Sequence, residues 1–209
     1  MSNFKASDGC EIFYDVKGTG EPLVFVHGWS ANSDIFAKQV EHFSKSYRVV
    51  VYDLRGHGRS DRRGEITEHN MTMERNATDL LELMDHLKID KAHVCGWSMG
   101  TSILLCFIKL FKTSRLLSAA FIDMTPRLLN DESWDMGDFD ALGNLEFAQL
   151  IATDWKTAYT EALPELFARD RNPNDENVIK VRDMMKNNIP HVMSSMWMAM
   201  ALGDYRDVL

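Results

Sequence analysis

The chain has 209 residues, 45% of them hydrophobic, with 23 Lys and Arg against 31 Asp and Glu and a net charge of −8. That length and apolar content support one sizeable core with room for a smaller covering unit, and exclude a disordered chain. The acidic balance, with basic clusters no longer than "DRRG" (Asp61 to Gly64), argues against nucleic acid or an anionic membrane as a partner.

The opening "MSNFKASDG" lacks the basic and apolar regions of a secretion signal, and no apolar run approaches a bilayer span, so a cytoplasmic location is expected. In "FKASDGCEIFYDVKG" an Asp8-Gly9 turn precedes alternation at Ile12, Tyr14 and Val16, the pattern of a β-hairpin. The pattern then changes. "PLVFVHG" (Pro22 to Gly28), "YRVVVYD" (Tyr47 to Asp53), "AHVCGW" (Ala92 to Trp97) and "SAAFID" (Ser118 to Asp123) are short apolar runs without alternation, as strands covered on both faces should be. Helical periodicities separate them. Phe36, Val40 and Phe43 follow Ser33; Met73, Ala77, Leu80, Met84 and Leu87 follow Thr72, with Asp79, Glu82 and Asp85 expected on the solvent face. "MGTSILLCFIKLF" (Met99 to Phe111) is apolar nearly all round and predicts a buried helix. Strands alternating with helices imply a parallel sheet with right-handed crossovers. From about Thr125 onward several amphipathic helices are expected and no strand-like run occurs. Cys10, Cys95 and Cys106 form no C-x-x-C pair and read as small apolar residues in a reducing compartment.

Gly96-Trp97-Ser98-Met99-Gly100 fits G-x-S-x-G, a pattern that chance produces in a chain of this length roughly once in fifteen. Its context makes it specific, because an apolar strand runs into it, a helix leaves it, and glycines flank the serine where a sharp turn leaves no room for side chains. Such a turn aims the Ser98 hydroxyl beyond the carboxyl end of the strand, where open α/β sheets place their sites. Acyl transfer also needs donors for the developing oxyanion. The Met99 N–H, opening the helix, supplies one, and the Trp29 N–H in "HGWS" the other. His27 belongs to the same loop and is not expected to be the base. "GHGRSD" lacks a following Gly-Lys-Ser/Thr and carries Asp61 where G-x-G-x-x-G needs its third glycine, which excludes a nucleotide loop.

Together "HGWS", "DLRGHGRSD" (Asp53 to Asp61) and "GWSMG", in this order and spacing, resemble the α/β-hydrolase superfamily, in particular its small soluble esterase, lactonase and perhydrolase-like members. The resemblance covers about residues 10 to 125. It implies a mostly parallel sheet with an N-terminal hairpin, a hydrolase core over 1–125 and a helical cap over 126–209. It also implies Ser98 as nucleophile, Trp29 and Met99 as the oxyanion hole, and no metal or organic cofactor. "DLRGHGRSD" is structural in the family, its Asp53, Arg55 and Gly56 shaping a turn.

In this family the acid and then the histidine follow the serine in the chain. Asp123, after "SAAFID", occupies a place from which some relatives supply the acid. No histidine here is a good base: His42 and His86 lie on solvent-side helix patterns, His69 in a polar loop and His93 near the start of its strand. His57 sits in the Gly-rich loop and His191, in "NNIPHVM", on the cap. By that resemblance the last two strands are missing after "GDYRDVL", and the histidine is expected outside these 209 residues. The chain as it stands is then expected to be nearly inactive and to expose an apolar sheet edge prone to self-association. The function expected of the whole is a serine hydrolase acting on a small-molecule ester, thioester or lactone. The rivals are a catalytically dead binding protein or truncated product, and a C–C hydrolase or perhydrolase using the same site.

Overall fold

The computed structural model describes residues 2–62, 70–168 and 170–208. His69 and the end of the "DRRG" cluster lie outside the described residues. Six strands form one sheet: β1 (Ser2–Lys5), β2 (Glu11–Lys17), β3 (Glu21–Val26), β4 (Tyr47–Tyr52), β5 (Ala92–Trp97) and β6 (Leu116–Ile122), in spatial order β1-β2-β4-β3-β5-β6. The hairpin β1–β2 turns at Gly9, whose φ of 94° only glycine adopts readily, and β2 joins β4 antiparallel; β4, β3, β5 and β6 run parallel.

The helices connecting the parallel strands are α1 (Ala37–Phe43), α2 (Met73–His86) and α3 (Met99–Phe111), close to the periodicities read from the sequence. A short 3-10 turn at Ser33–Phe36 leads into α1. Helix α2 begins where the pattern predicts, because the Thr72 side chain accepts from the Arg75 N–H and satisfies one otherwise orphaned donor. Thr72→Ala is expected to lower stability by about 1 kcal/mol in chemical denaturation, with an unchanged denaturant slope. Helix α3 is buried over nine consecutive residues, Met99 to Phe107, as its all-round apolarity requires.

Among the described residues four α-helices follow β6, α4 (Ala141–Thr153), α5 (Trp155–Ala162), α6 (Glu176–Lys186) and α7 (Pro190–Ala201), with a 3-10 turn at Leu163–Leu166 after α5. Beyond Thr125 the described residues add only isolated bridges, such as Arg127 with Asp204. One apolar cluster runs without a break from sheet and α3 residues such as Val26 and Met99 to Ile151, Met193 and Met196 of the late helices. Cys10, Cys95 and Cys106 are free and buried, and burial pushes the Cys10 and Cys106 thiols up to about 12 and about 11. No helix among the described residues is long and apolar enough to cross a membrane.

Phe13, between the alternating Ile12 and Tyr14 of β2, is buried as well, with the Arg59 guanidinium 3.9 Å over its ring. Two sequence expectations need correction. Asp79 is not on the solvent face of α2 but 1% exposed, gripped by both Arg55 and Arg75. The run "SAAFID" forms β6 without cover on both faces: among the described residues β6 ends the sheet, and Leu117, Phe121 and Ile122 are 44%, 41% and 45% exposed.

Candidate active site

Ser98 stands between β5 and α3 with φ 52° and ψ −123°, a conformation that L-residues avoid unless their surroundings enforce it. The enforcement is visible in hydrogen bonds. The Ser98 N–H donates to Ile122 O (2.9 Å), the Thr101 N–H donates to Ser98 O (2.7 Å), and the Thr101 hydroxyl donates to Gly96 O (2.8 Å). Thr101 thus ties the turn to the strand entering it, a role the motif alone did not reveal.

The flanking glycines have a steric reason. A β-carbon at Gly96 would lie 2.4 Å from Gly100 O, and one at Gly100 would lie 2.1 Å from Val26 O, the backbone at the end of β3. Because the obstruction is backbone rather than a flexible side chain, Gly100→Ala has to push α3 off β3. Its expected cost is about 2–3 kcal/mol of overpacking, read as a lowered denaturation midpoint. A variant as stable as the parent would mean that the turn relaxes freely.

The "HGWS" loop packs directly on this turn. A β-carbon at Gly28 would sit 3.0 Å from Ser98 Cβ and 3.1 Å from the Trp97 ring. Two buried histidines hold the loop. His27 Nε2 accepts from the Leu54 N–H (2.9 Å), so its Nδ1 carries the proton and donates to Gly28 O (2.8 Å). His57 Nε2 accepts from the Ser30 N–H (3.2 Å), and its Nδ1 donates to Arg55 O (3.0 Å). Neither ring keeps a nitrogen for proton transfer at Ser98. Both rings are neutral: burial holds His27 below its ordinary range, and burial together with the neighbouring His27 brings His57 down to about 3.

"DLRGHGRSD" serves as the frame of this loop. Asp53 accepts from the Ser33 N–H and hydroxyl and from the Arg59 N–H and Nε. Burial opposes its charge, yet these bonds hold its carboxyl below the usual range. Arg55, with no exposed surface, is bidentate to Asp79 and also paired with Asp8. Gly56 takes φ 77°, and a β-carbon there would strike Val192 at 2.5 Å.

The late helices close over the loop. The Trp29 indole donates to Met193 O (2.9 Å), and the Asn188 amide donates to Ser30 O (2.7 Å). The Trp29 ring meets Phe147, Trp155 and Trp197 at centroid distances of 6.0, 5.6 and 5.3 Å. Beneath them lies a cavity of about 570 Å³ whose walls include Trp29, Ser98, Asp123, Phe147 and Trp197. Met124, Met185 and Met200 also line it, and Met185 and Met200 belong at the same time to the buried core that holds Met193 and Met196.

Of the residues singled out in the sequence, Ser98, Trp29 and Asp123 thus meet at one cavity, while the Met99 side chain is fully buried and only its amide opens α3. The Trp29 and Met99 amides have no acceptor among the described residues. Asp123 takes φ 57° at the end of β6 and is solvent-exposed. No described histidine lines the cavity: His42, His86 and His191 are exposed, and His93 bonds to Ser118 near the start of β5.

A family model described as the alpha/beta hydrolase fold matches residues 21–179. A non-heme haloperoxidase of Rhodococcus erythropolis is 36% identical over 163 residues, covering 75% of this chain and 56% of its own. A 3-oxoadipate enol-lactonase of Acinetobacter baylyi is 30% identical over 113 residues, 54% of this chain and 40% of its own. Among solved structures, a bromoperoxidase from Bacillus anthracis is similar at a TM-score of 0.89 and 26% identity, over 99% of this chain and 76% of that one. The chain spans about half the length of the curated relatives it matches. A match that begins at the first parallel strand and runs into α6, over a sheet of this order, identifies the chain as a member of the alpha/beta hydrolase fold family.

Proposed function

We propose that this protein is a serine hydrolase that cleaves a small carboxylic ester, thioester or lactone through an acyl-enzyme on Ser98. The observation that carries the reading is the strained Ser98 backbone at the cavity, in contact with a loop whose Trp29 amide, like that of Met99, has no acceptor among the described residues. Ser98 Oγ attacks the substrate carbonyl while its proton passes to a base. The carbonyl oxygen, now an anion, accepts from the Trp29 and Met99 amides; the alcohol leaves, and water releases the acid. His27 and His57 have both ring nitrogens engaged and no other described histidine lines the cavity, so the base is assigned outside the described residues. Helices α4 to α7 act as a cap over the acyl pocket. Asp123 is the acid partner in this scheme, placed at the same cavity mouth.

A fluorophosphonate reagent on the full-length protein, followed by peptide mapping, is expected to place the adduct on the peptide containing Ser98. An unlabelled protein, or an adduct on another residue, overturns the reading. The haloperoxidase relatives favour a second outcome for the same acyl-enzyme, in which hydrogen peroxide replaces water and a peracid leaves. Peroxide-dependent halide oxidation that requires a carboxylic acid and Ser98 would select it.

A further inference from the structure

The polar fittings of the cavity carry information about its ligand. Ser30 lines it and is 1% exposed, with φ 61°. Its backbone is pinned at both ends, the N–H to His57 and the C=O by Asn188. The Ser30 hydroxyl, by contrast, is buried with no partner among the described residues. Leaving such a group unpaired carries a desolvation cost, which a bound molecule offering an acceptor removes.

Four carboxylates line the same cavity, Asp123, Asp138, Glu161 and Glu165, all on exposed residues and therefore at its mouth. Among the described residues no Lys, Arg or His lines it, and none of the four has a cationic partner there. Partial burial, with the neighbouring charge of Asp123, raises the Asp138 carboxyl above the usual range. Trp29, Trp97, Phe139, Phe147 and Trp197 belong to the same walls. Aromatic rings together with carboxylates are surroundings that stabilise an ammonium group, and they repel an anion.

We propose that this cavity takes an ester carrying a quaternary ammonium or protonated amine, with the cation between the aromatic walls and the carboxylate mouth and an ester oxygen accepting from the Ser30 hydroxyl. The inference rests on the hydrolase reading only for placing the ester carbonyl at Ser98; the cation preference is independent of it.

The test is a tryptophan-fluorescence titration of the full-length protein carrying Ser98→Ala, which leaves ligands uncut. Butyrylcholine, its uncharged isostere 3,3-dimethylbutyl butyrate and the ester-free phenyltrimethylammonium are compared at low ionic strength. Butyrylcholine is expected to bind on the order of 10-fold tighter than the isostere, with the preference shrinking as salt is added. Asp123→Asn with Asp138→Asn should reduce that preference to about a third or less, since the pair removes two attractive charges from the mouth. Ser30→Ala should weaken both esters by about 3- to 10-fold and leave phenyltrimethylammonium unchanged. Equal or tighter binding of the isostere overturns the proposal, as does a preference indifferent to the Asp→Asn changes or a Ser30→Ala effect of the same size on all three ligands. If the acyl-enzyme reading alone is wrong, Ser98 goes unlabelled while the cation preference persists; if this proposal alone is wrong, labelling persists without the preference.

Discussion

Ser98→Ala is expected to abolish fluorophosphonate labelling and to lower ester turnover by the full-length protein about a million-fold, as loss of the serine does in subtilisin. The magnitude follows from the division of labour at the site. The oxyanion amides of Trp29 and Met99 belong to the backbone and survive the substitution, so a residual rate over water remains. What disappears is the covalent path. Folding should be unaffected or slightly improved, because φ 52° strains alanine no more than serine and no hydrogen bond of the Ser98 hydroxyl to a described residue is lost. Equal thermal stability with turnover within tenfold of the parent would mean that chemistry occurs elsewhere on the protein.

Acidification is expected to unfold the protein from the active-site loop outward. The unfolded chain takes up a proton on each histidine near 6.5, whereas folded His57 does so only near about 3 and His27 also below its ordinary value. Between those limits the unfolded state binds more protons, so stability falls as pH falls and is fully present above about pH 7. At pH 4.5 His57 alone withdraws about 2–3 kcal/mol, and His27 adds to it in the same direction. Protonation would put a second hydrogen on the Nε2 atoms that accept from the Leu54 and Ser30 amides, so the loop bearing Trp29 is the first casualty. Urea denaturation between pH 7.5 and 4.5 measures the slope. His57→Gln, which can accept from Ser30 and donate to Arg55 without titrating, should remove about one proton's share of it. An unchanged slope in that variant would assign the acid sensitivity to other groups.

Much of the local architecture was legible from residue order. The Thr72 cap, the Asp8-Gly9 turn and the apolar girth of α3 each depend on neighbours within a few positions, and each stands where the pattern puts it. The elbow was equally readable, because glycines on both sides of a serine between strand and helix admit few other backbones. Less visible were the groups that hold it. Thr101, His57 and Asn188 bond to the elbow or the adjoining loop, yet none has a spacing that announces the role. The crowding of Asp, Arg, His and Ser in "DLRGHGRSD" was the available signal for a buried polar network, and it pointed to a turn without naming its partners. Asp79 misled, since a carboxylate at a polar helix position reads as solvated until Arg55 arrives from a segment 24 residues away.

By itself the amino-acid order determined periodicity, turns, caps and the strand–serine–helix junction, since these arise from sterics and hydrogen bonds among residues close in the chain. Tertiary structure alone decided which ring nitrogens of His27 and His57 are engaged, that the Ser30 hydroxyl in a cavity wall has no partner among the described residues, and that Asp79 is buried between Arg55 and Arg75. Burial and partner choice are set by segments distant in the chain, and a residue's protonation state and chemical availability follow from them.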